Sequence, residues 1–150
     1  MSGLMPTSVL VVCVGNICRS PAGEAVLRSL CPNLEVSSAG INALVGQGAD
    51  EDAAATAERH GVSLADHIAR QFTSKLGEEH ALILAMEPGH RRVIGEQAPH
   101  LLGRTLLFDQ WTGAKGIADP YRRSTAFHSE VFEQIRAAAQ GWADRLQPKG

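Results

Sequence analysis

The sequence lacks any surplus of positive charge, and this absence argues against one broad class of partner. Its 14 Lys and Arg residues are outnumbered by 16 Asp and Glu residues, and the formal net charge is −2. The basic residues form no block along the chain. We therefore expect no electrostatic binding to nucleic acid or to an anionic lipid surface.

Long apolar runs are also missing. No segment approaches the roughly 20 apolar residues that cross a bilayer. The residues before the first apolar run include no Lys or Arg, so they do not match the charged start of a secretory signal. These features predict a protein of the cytoplasm that does not insert into a membrane.

Cysteine and histidine are present in patterns that do not suggest cross-links or metal ligands. The three cysteines are an odd number in a chain long enough to fold without disulfides, so we expect reduced thiols. Cys31, before a proline, is expected to be a small buried side chain. The six histidines show no metal-ligand spacing such as H-x-x-x-H. We predict no metal and no cofactor.

With 150 residues and 44% hydrophobic content, the chain predicts one compact domain over residues 1–150. Apolar, strand-like runs alternate with helical patterns along its length. The alternation predicts an α/β fold with a four-stranded parallel, doubly wound sheet and helices on both faces. The predicted strands cover residues 9–14, 34–37, 81–86 and 105–108.

Capping residues and periodicity predict the helices between these strands. Ser20 is expected to cap a helix over residues 21–31, and Asp50 to cap one that ends near Gly61. A short helix is expected with its cap near Thr73 or Ser74, and another helix from about Pro88. The last helix is predicted from apolar residues spaced three and four apart, namely Phe127, Val131, Ile135, Ala138, Trp142 and Leu146.

The segment from Cys13 to Ser20 lies between the first predicted strand and the first helix. Such a junction directs backbone N–H groups and the positive end of a helix dipole at one point, where they bind oxyanions. A cysteine in this field ionises more readily than a free thiol. We expect Cys13 to attack phosphorus and Arg19 to bind two phosphate oxygens. Ser20 is placed to donate its hydroxyl to the Cys13 thiolate.

A second candidate lies in the unpatterned stretch over residues 109–123. Loops of that length are uncommon in a compact domain and are usually functional, so it is a candidate lid. Asp119, before Pro120, would protonate the leaving oxygen and then activate the water that releases phosphate. Tyr121, the only tyrosine, is expected to form a wall for an aromatic ring.

Simpler structural explanations exist for each of these residues. The segment around Cys13 could be a tight turn with a buried thiol, although the glycine, arginine, serine and proline in register make this explanation weak. Asp-Pro pairs are common in turns, so a turn alone would explain Asp119 and Pro120. The oxyanion-binding segment from Cys13 to Ser20 is what favours a catalytic role for Asp119. From the sequence alone, His67 is better explained as a structural histidine that makes hydrogen bonds than as a catalytic base.

The block from Val12 to Pro21, followed about a hundred residues later by Asp119-Pro120-Tyr121, closely resembles the low-molecular-weight protein tyrosine phosphatases. The likeness extends through residues 37–40, 67–71 and 82–86. It implies a four-stranded parallel sheet with flanking helices, in agreement with the patterns above. It also implies a nucleophile at Cys13, a phosphate ligand at Arg19 and an acid and base at Asp119.

The same resemblance assigns further residues. It implies that Asn16, Ser38 and His67 form a hydrogen-bond network that holds the loop in a strained shape. It implies that Cys18 is a redox partner able to form a reversible disulfide with Cys13. The substrate would be bound by the loop and by two apolar walls, a set that comprises Val14, Gly15, Asn16, Ile17, Cys18, Ser20, Leu44 and Tyr121.

Two local stretches, residues 43–50 and 119–122, are similar to the bacterial enzymes encoded with capsule and exopolysaccharide genes. Those enzymes act on autophosphorylated bacterial tyrosine kinases, which the resemblance therefore implies as the partner. Arg122 stands where animal members commonly carry a second tyrosine, so their substrate preferences do not transfer. A monomer is expected, because no large apolar stripe is left unassigned.

Three other functions share parts of this pattern. An arsenate reductase uses the same fold and loop but needs further cysteines to relay a disulfide, and the chain has none beyond Cys31. A carrier that passes phosphate from cysteine to another protein would gain nothing from the carboxylate of Asp119. A protein that only binds phosphotyrosine is disfavoured because each expected catalytic residue is present.

Overall fold

The computed structural model describes residues 5–147, and its four strands form one parallel sheet. The strand order is β2-β1-β3-β4, which confirms the predicted α/β architecture. The strands are β1 (Ser8–Cys13), β2 (Glu35–Gly40), β3 (Leu82–Ala85) and β4 (Thr105–Leu107). The α-helices are α1 (Arg19–Leu30), α2 (Glu51–Arg59), α3 (Ser74–Glu78), α4 (Pro88–Gln97) and α5 (Thr125–Leu146), with a 3₁₀ helix at Pro99–Arg104.

Strand β1 explains why the sheet needs helices on both faces. Its residues from Val9 to Val12 are completely buried. Val9 and Val11 pack into the core beneath α1 and α5, whereas Leu10 and Val12 pack into the core on the opposite face. A strand covered on both sides buries every side chain, so its sequence is a continuous apolar run rather than an alternating one.

Strand β2 is longer than its sequence indicates. The expected strand stopped at residue 37, but pairing continues to Gly40. Ser38, Ala39 and Gly40 pair with Val11, Val12 and Cys13 of β1. Small residues have little intrinsic strand preference, and the neighbouring central strand supplies the pairing that holds them extended. The carboxyl end of β2 thereby reaches the segment that follows β1.

The first helix begins earlier than predicted, and the expected cap at Ser20 is wrong. Helix α1 starts at Arg19, and Cys18 occupies the cap position without a side-chain cap hydrogen bond. Ser20 lies within the first turn, where its hydroxyl contacts Cys13 and Asn16 instead. Buried partners nearby therefore take the hydroxyl that would otherwise cap the helix. The cap predicted at Asp50 is confirmed, and of the two candidates for the short helix, Thr73 and Ser74, the cap is Thr73; each cap accepts a backbone N–H.

The last helix packs most of its predicted stripe against the sheet. Five of the six expected residues are buried, and Phe127 is only partly buried. Phe132 and His128 are buried as well, which the predicted stripe did not include. Within residues 5–147, no helix combines the length and the apolar character that crossing a bilayer requires.

The stretch over residues 109–123 forms turns rather than helix or strand, as expected. The Asp109 carboxylate accepts the backbone N–H groups of Lys115 and Gly116 at 3.1 and 3.0 Å. The N–H of Ile117 donates to the Met86 carbonyl after β3 at 2.8 Å. These contacts tie the first part of the predicted lid, up to Ile117, to Asp109 and to the end of β3.

Gly40 lets the end of β2 pass close to the segment after β1. A Cβ atom at this position would lie 2.3 Å from the Val14 carbonyl oxygen and 3.0 Å from the Asn16 nitrogen. Both are backbone atoms, so they cannot rotate away.

We predict that Gly40→Ala lowers the free energy of unfolding by about 1–3 kcal/mol, as overpacking does. Urea denaturation of the purified protein measures this change. Gly89→Ala is the matched control, because a Cβ there meets nothing within 4 Å and Ala suits a helix better than Gly. Equal stability of the two variants would contradict the close approach at Gly40.

Candidate active site

A pocket of about 240 Å³ opens at the carboxyl edge of the sheet. Parallel α/β sheets bind ligands at this edge, beyond the ends of the strands. Three segments contribute to the pocket: the loop after β1, the loop after β2 and the loop before α5. The lining residues are Cys13, Val14, Gly15, Ile17, Cys18, Arg19, Asn42, Leu44, Asp119 and Tyr121. The structure therefore brings Cys13, Arg19 and Asp119 to one pocket.

Cys13 is the last residue of β1 and is almost completely buried. Its Sγ atom lies 2.9 Å from Ser20 Oγ. The Ser20 oxygen accepts a hydrogen bond from Asn16 Nδ2 at 2.8 Å, so its own proton is free to be donated. Cys13 is the nearer acceptor, since the alternative, the Ala39 carbonyl, lies 3.5 Å away. Ser20 is thus positioned to donate to the sulfur.

Asn16 holds the loop from the inside. It is completely buried and adopts a left-handed backbone conformation with φ of 59°. Its Nδ2 donates to Ser20 and to Ser38, the latter at 3.0 Å. Its Oδ1 accepts the backbone N–H of Arg70 at 2.9 Å. Both the nitrogen and the oxygen of the amide therefore make hydrogen bonds.

His67 supports the same residue from the other side. Its Nε2 lies 2.5 Å from the Asn16 carbonyl oxygen. A carbonyl only accepts hydrogen bonds, so His67 carries its proton on Nε2 and donates it. The contacts expected among Asn16, Ser38 and His67 are present in the structure.

The network continues to a residue that the sequence did not single out. Ser38 accepts from Asn16 and donates to Glu24 Oε1 at 2.6 Å. Glu24 in turn accepts from Arg28 at 2.5 Å, one turn later on α1. Glu24 thus accepts the proton of Ser38, which leaves the Ser38 oxygen to accept from Asn16.

Arg19 is buried at the start of α1. Its Nη1 pairs with the Glu87 carboxylate and also donates to the Ile117 carbonyl at 2.6 Å. Its Nη2 lies 3.9 Å from Asp119 Oδ2. The contacts to Glu87 and Ile117 hold one nitrogen of the guanidinium, and the side chain also lines the pocket.

Asp119 lines the pocket from the loop before α5 and is exposed. Its Oδ1 accepts the backbone N–H of Tyr121 at 3.0 Å, a contact that closes a short turn around Pro120. This turn points Oδ2 toward Arg19 and leaves it open to solvent. A carboxyl in this position can exchange a proton with water or with a bound ligand.

Two residues expected to bind substrate do not reach the pocket. Asn16 and Ser20 are completely buried, and neither lines the pocket. Leu44 and Tyr121 do line it, each with about 40% of its surface exposed. Asn42 also lines the pocket although no pattern in the sequence indicated it.

The two cysteines of the loop have different surroundings. Burial raises the pKa of Cys18, and the nearby carboxylates of Asp50 and Asp119 raise it further. Cys18 is therefore a protonated thiol at neutral pH. Burial also raises the pKa of Cys31, which packs in the main core away from the pocket.

Glu87 is the main site residue that sequence reasoning missed. It follows the buried strand β3, so its place at the carboxyl edge of the sheet was a usable signal. His90, one helical turn later, is buried with its Nε2 3.7 Å from Glu87. Burial and the charge of Arg19 lower the pKa of His90, which is therefore neutral at pH 7.

The sequence matches the family model for low molecular weight phosphotyrosine protein phosphatases over residues 8–150. One relative is the low molecular weight protein-tyrosine-phosphatase Etp of Escherichia coli, 46% identical over 146 residues. That match covers 97% of this chain and 99% of the relative. Such identity over nearly the full length of both proteins places the chain in the same family.

Two solved structures are close to this fold. The tyrosine phosphatase AmsI of Erwinia amylovora superposes with a TM-score of 0.94 at 42% identity, covering 99% of this chain and 98% of that one. Wzb of Vibrio vulnificus, in complex with benzylphosphonate, gives 0.91 at 46% identity, covering 93% and 99%. Etp, AmsI and Wzb belong to the capsule and exopolysaccharide branch. The chain is accordingly a member of the low molecular weight phosphotyrosine protein phosphatase family and a protein-tyrosine-phosphatase of the Wzb, Etp and AmsI type.

Proposed function

We propose that this chain hydrolyses phosphotyrosine through a phosphocysteine on Cys13. The observation that carries the proposal is the shared pocket, in which a thiol at its base lies with a guanidinium and a carboxyl. These three groups are what phosphoryl transfer needs, namely a nucleophile, charge stabilisation and a proton donor. One domain, residues 1–150, supplies them all, and we propose no metal for this reaction.

In the first step, the Cys13 thiolate attacks phosphorus and the bond to the phenolic oxygen breaks. Arg19 and the N-terminal end of α1 stabilise the negative charge that spreads over the phosphoryl oxygens. The Glu87 and Ile117 contacts hold the guanidinium in place before substrate arrives. Such preorganisation avoids reorienting the side chain during the reaction.

Asp119 serves both half-reactions. As the neutral acid it gives a proton to the leaving phenolate, and as the carboxylate it then takes a proton from the attacking water. The water's oxygen bonds to phosphorus, the sulfur leaves as a thiolate, and inorganic phosphate is released. The hydrogen bond from Ser20 stabilises that thiolate and so improves it as a leaving group.

Leu44 and Tyr121 would contact the phenyl ring of the substrate. Both line the pocket mouth and expose apolar surface there. The complex of Vibrio vulnificus Wzb with benzylphosphonate shows that a relative accepts an aromatic ring joined to a phosphorus group. The loop residues Val14, Gly15, Ile17 and Cys18 would surround the phosphate.

We propose an autophosphorylated bacterial tyrosine kinase that controls capsule or exopolysaccharide production as the physiological substrate. The support is the similarity to the Wzb, Etp and AmsI type of phosphatase. A cytoplasmic location fits this role, because the reducing cytoplasm keeps the Cys13 thiol available. We propose a monomer, since one chain supplies every residue that lines the pocket.

We also propose that Cys18 protects Cys13 from irreversible oxidation. Peroxide would convert Cys13 to a sulfenic acid, and the Cys18 sulfur would then displace water to form a disulfide. A thiol reductant reverses that bond and restores Cys13. Cys18 is a neighbour of Cys13 in the same pocket lining.

We predict that Cys13→Ser abolishes hydrolysis of an aryl phosphate in metal-free buffer, because serine cannot supply a thiolate. Colorimetric release of the phenol measures the activity. Cys31→Ser is the matched control and is expected to stay active, since Cys31 packs away from the pocket. Full activity of Cys13→Ser would contradict the phosphocysteine mechanism.

We predict that Asp119→Asn slows hydrolysis by about 10²- to 10⁴-fold for esters of basic phenols, the usual contribution of a general acid. The loss should shrink as the leaving phenol becomes more acidic, because a good leaving group needs no proton. A series of substituted phenyl phosphates measures this trend, with the exposed Asp144→Asn as control. Equal losses across the series would remove Asp119 from the acid role.

We predict that Cys18→Ser keeps most of the activity of the reduced enzyme but makes peroxide inactivation irreversible by added thiol. In the unmodified protein, disulfide formation should accelerate as pH rises from 7 to 9, because the raised pKa of Cys18 leaves little thiolate at pH 7. Activity after peroxide and thiol treatment at several pH values measures both effects. Unchanged recovery in Cys18→Ser would refute the protective role.

A further inference from the structure

The start of α2 and the start of α5 meet at a group of three side chains outside the pocket. Asp50 caps α2 and Asp52 lies in its first turn, whereas His128 lies in the first turn of α5. One potential ligand atom from each residue lies within 4.8 Å of the other two. Nothing in the spacing of the sequence indicated this group, because His128 is 76 residues beyond the nearer carboxylate.

His128 gives the strongest reason to look for a ligand here. The residue is 2% exposed, and its Nε2 atom is buried with no hydrogen-bond partner. A buried polar atom without a partner costs about 1–3 kcal/mol. Such an atom in a native protein calls for an explanation, and a bound ion is one such explanation. His128 lines a small cavity together with Ala53, Thr56 and Pro120.

The two carboxylates supply negative charge beside this imidazole, and one of them is open to solvent. Asp50 uses Oδ2 to accept the Ala53 N–H at 3.1 Å, which leaves its other oxygen available. Asp52 is exposed, so an ion can enter from solvent at that side. Two carboxylates and a neutral imidazole balance the charge of a divalent cation. The three groups come from two elements that the fold holds together, since α2 packs against α5.

We propose that Asp50, Asp52 and His128 form a binding site for a divalent transition-metal ion of the zinc class. Nitrogen and oxygen ligands together suit Zn²⁺, whereas Mg²⁺ and Ca²⁺ prefer oxygen alone. Three protein ligands leave a coordination position for water. The site joins α2 to the first turn of α5, directly after the loop that carries Asp119. It takes no part in the phosphoryl-transfer steps.

Isothermal titration of the full-length protein with Zn²⁺ tests the proposal. All titrations use a Cys13→Ser, Cys18→Ser background, so that the thiols of the pocket cannot bind the ion. We expect one Zn²⁺ per chain, with affinity reduced at least about tenfold by Asp52→Asn. Glu51→Gln is the matched control, because it removes the same charge from an exposed neighbour outside the group and should leave affinity unchanged.

A His128 variant and a Co²⁺ titration test which side chains bind the ion. His128→Gln should also weaken Zn²⁺ binding, and the exposed Asp52 variant gives an independent answer if the buried substitution prevents folding. Titration with Co²⁺ should produce visible absorption without the near-ultraviolet band of thiolate ligands. Absence of Zn²⁺ binding, equal binding by Asp52→Asn and Glu51→Gln, or equal affinity for Mg²⁺ would each overturn the proposal. None of these results depends on phosphatase activity.

Discussion

The geometry of the site depends on one buried amide, the side chain of Asn16. The residue adopts a left-handed conformation at φ of 59°, which costs an ordinary residue roughly 1–2 kcal/mol and which Asn tolerates better than most. Its side chain holds Ser20, Ser38 and the Arg70 backbone at once. Since Asn16, Ser20 and Ser38 are all buried, loss of one of them would leave a buried donor or acceptor unsatisfied. The loop shape and the network therefore require each other.

This constraint has a direct chemical consequence for Cys13. Asn16 donates to the Ser20 oxygen, so the Ser20 proton is left for the sulfur 2.9 Å away. The direction of these hydrogen bonds is set by the Asn16 amide, whose oxygen accepts the Arg70 N–H and whose nitrogen can only donate. Ser38, which accepts from Asn16, gives its own proton to the Glu24 carboxylate. Glu24 in turn pairs with Arg28 on α1, so an ion pair ends the network that begins at Cys13.

A second set of contacts acts on the opposite side. Glu87 and the Ile117 carbonyl hold Arg19, and the Ile117 N–H is itself tied to the end of β3. The same loop then continues to Asp119. Arg19 and Asp119 are therefore positioned by one anchored segment, which keeps the guanidinium at the pocket while the carboxyl stays exposed. A rigidly held guanidinium stabilises negative charge without reorienting. An accessible carboxyl can give and take the protons that the reaction needs.

Local sequence patterns revealed much of this arrangement. The continuous apolar run of β1, the caps at Asp50 and Thr73 and the spacing along α5 were enough to predict the alternating fold. Cys13 and Arg19 were found because they lie at a strand–helix junction that binds oxyanions, and Asp119 because it lies in a long loop without periodicity; the family resemblance supported all three. Strand β2 was predicted too short, since Ser38 and Ala39 become extended only by pairing with β1.

The sequence by itself determined which chemistry is available, because residue type and position along a strand or helix are local properties. Only the tertiary structure decided how the side chains are used. It removed the helix-cap role expected of Ser20 and kept the expected contact with Cys13, joined Glu87 to Arg19, and brought His128 to Asp50 and Asp52. These contacts link residues from 7 to 78 positions apart. Only packing of the elements against one another creates them, and periodicity within one element carries no information about them.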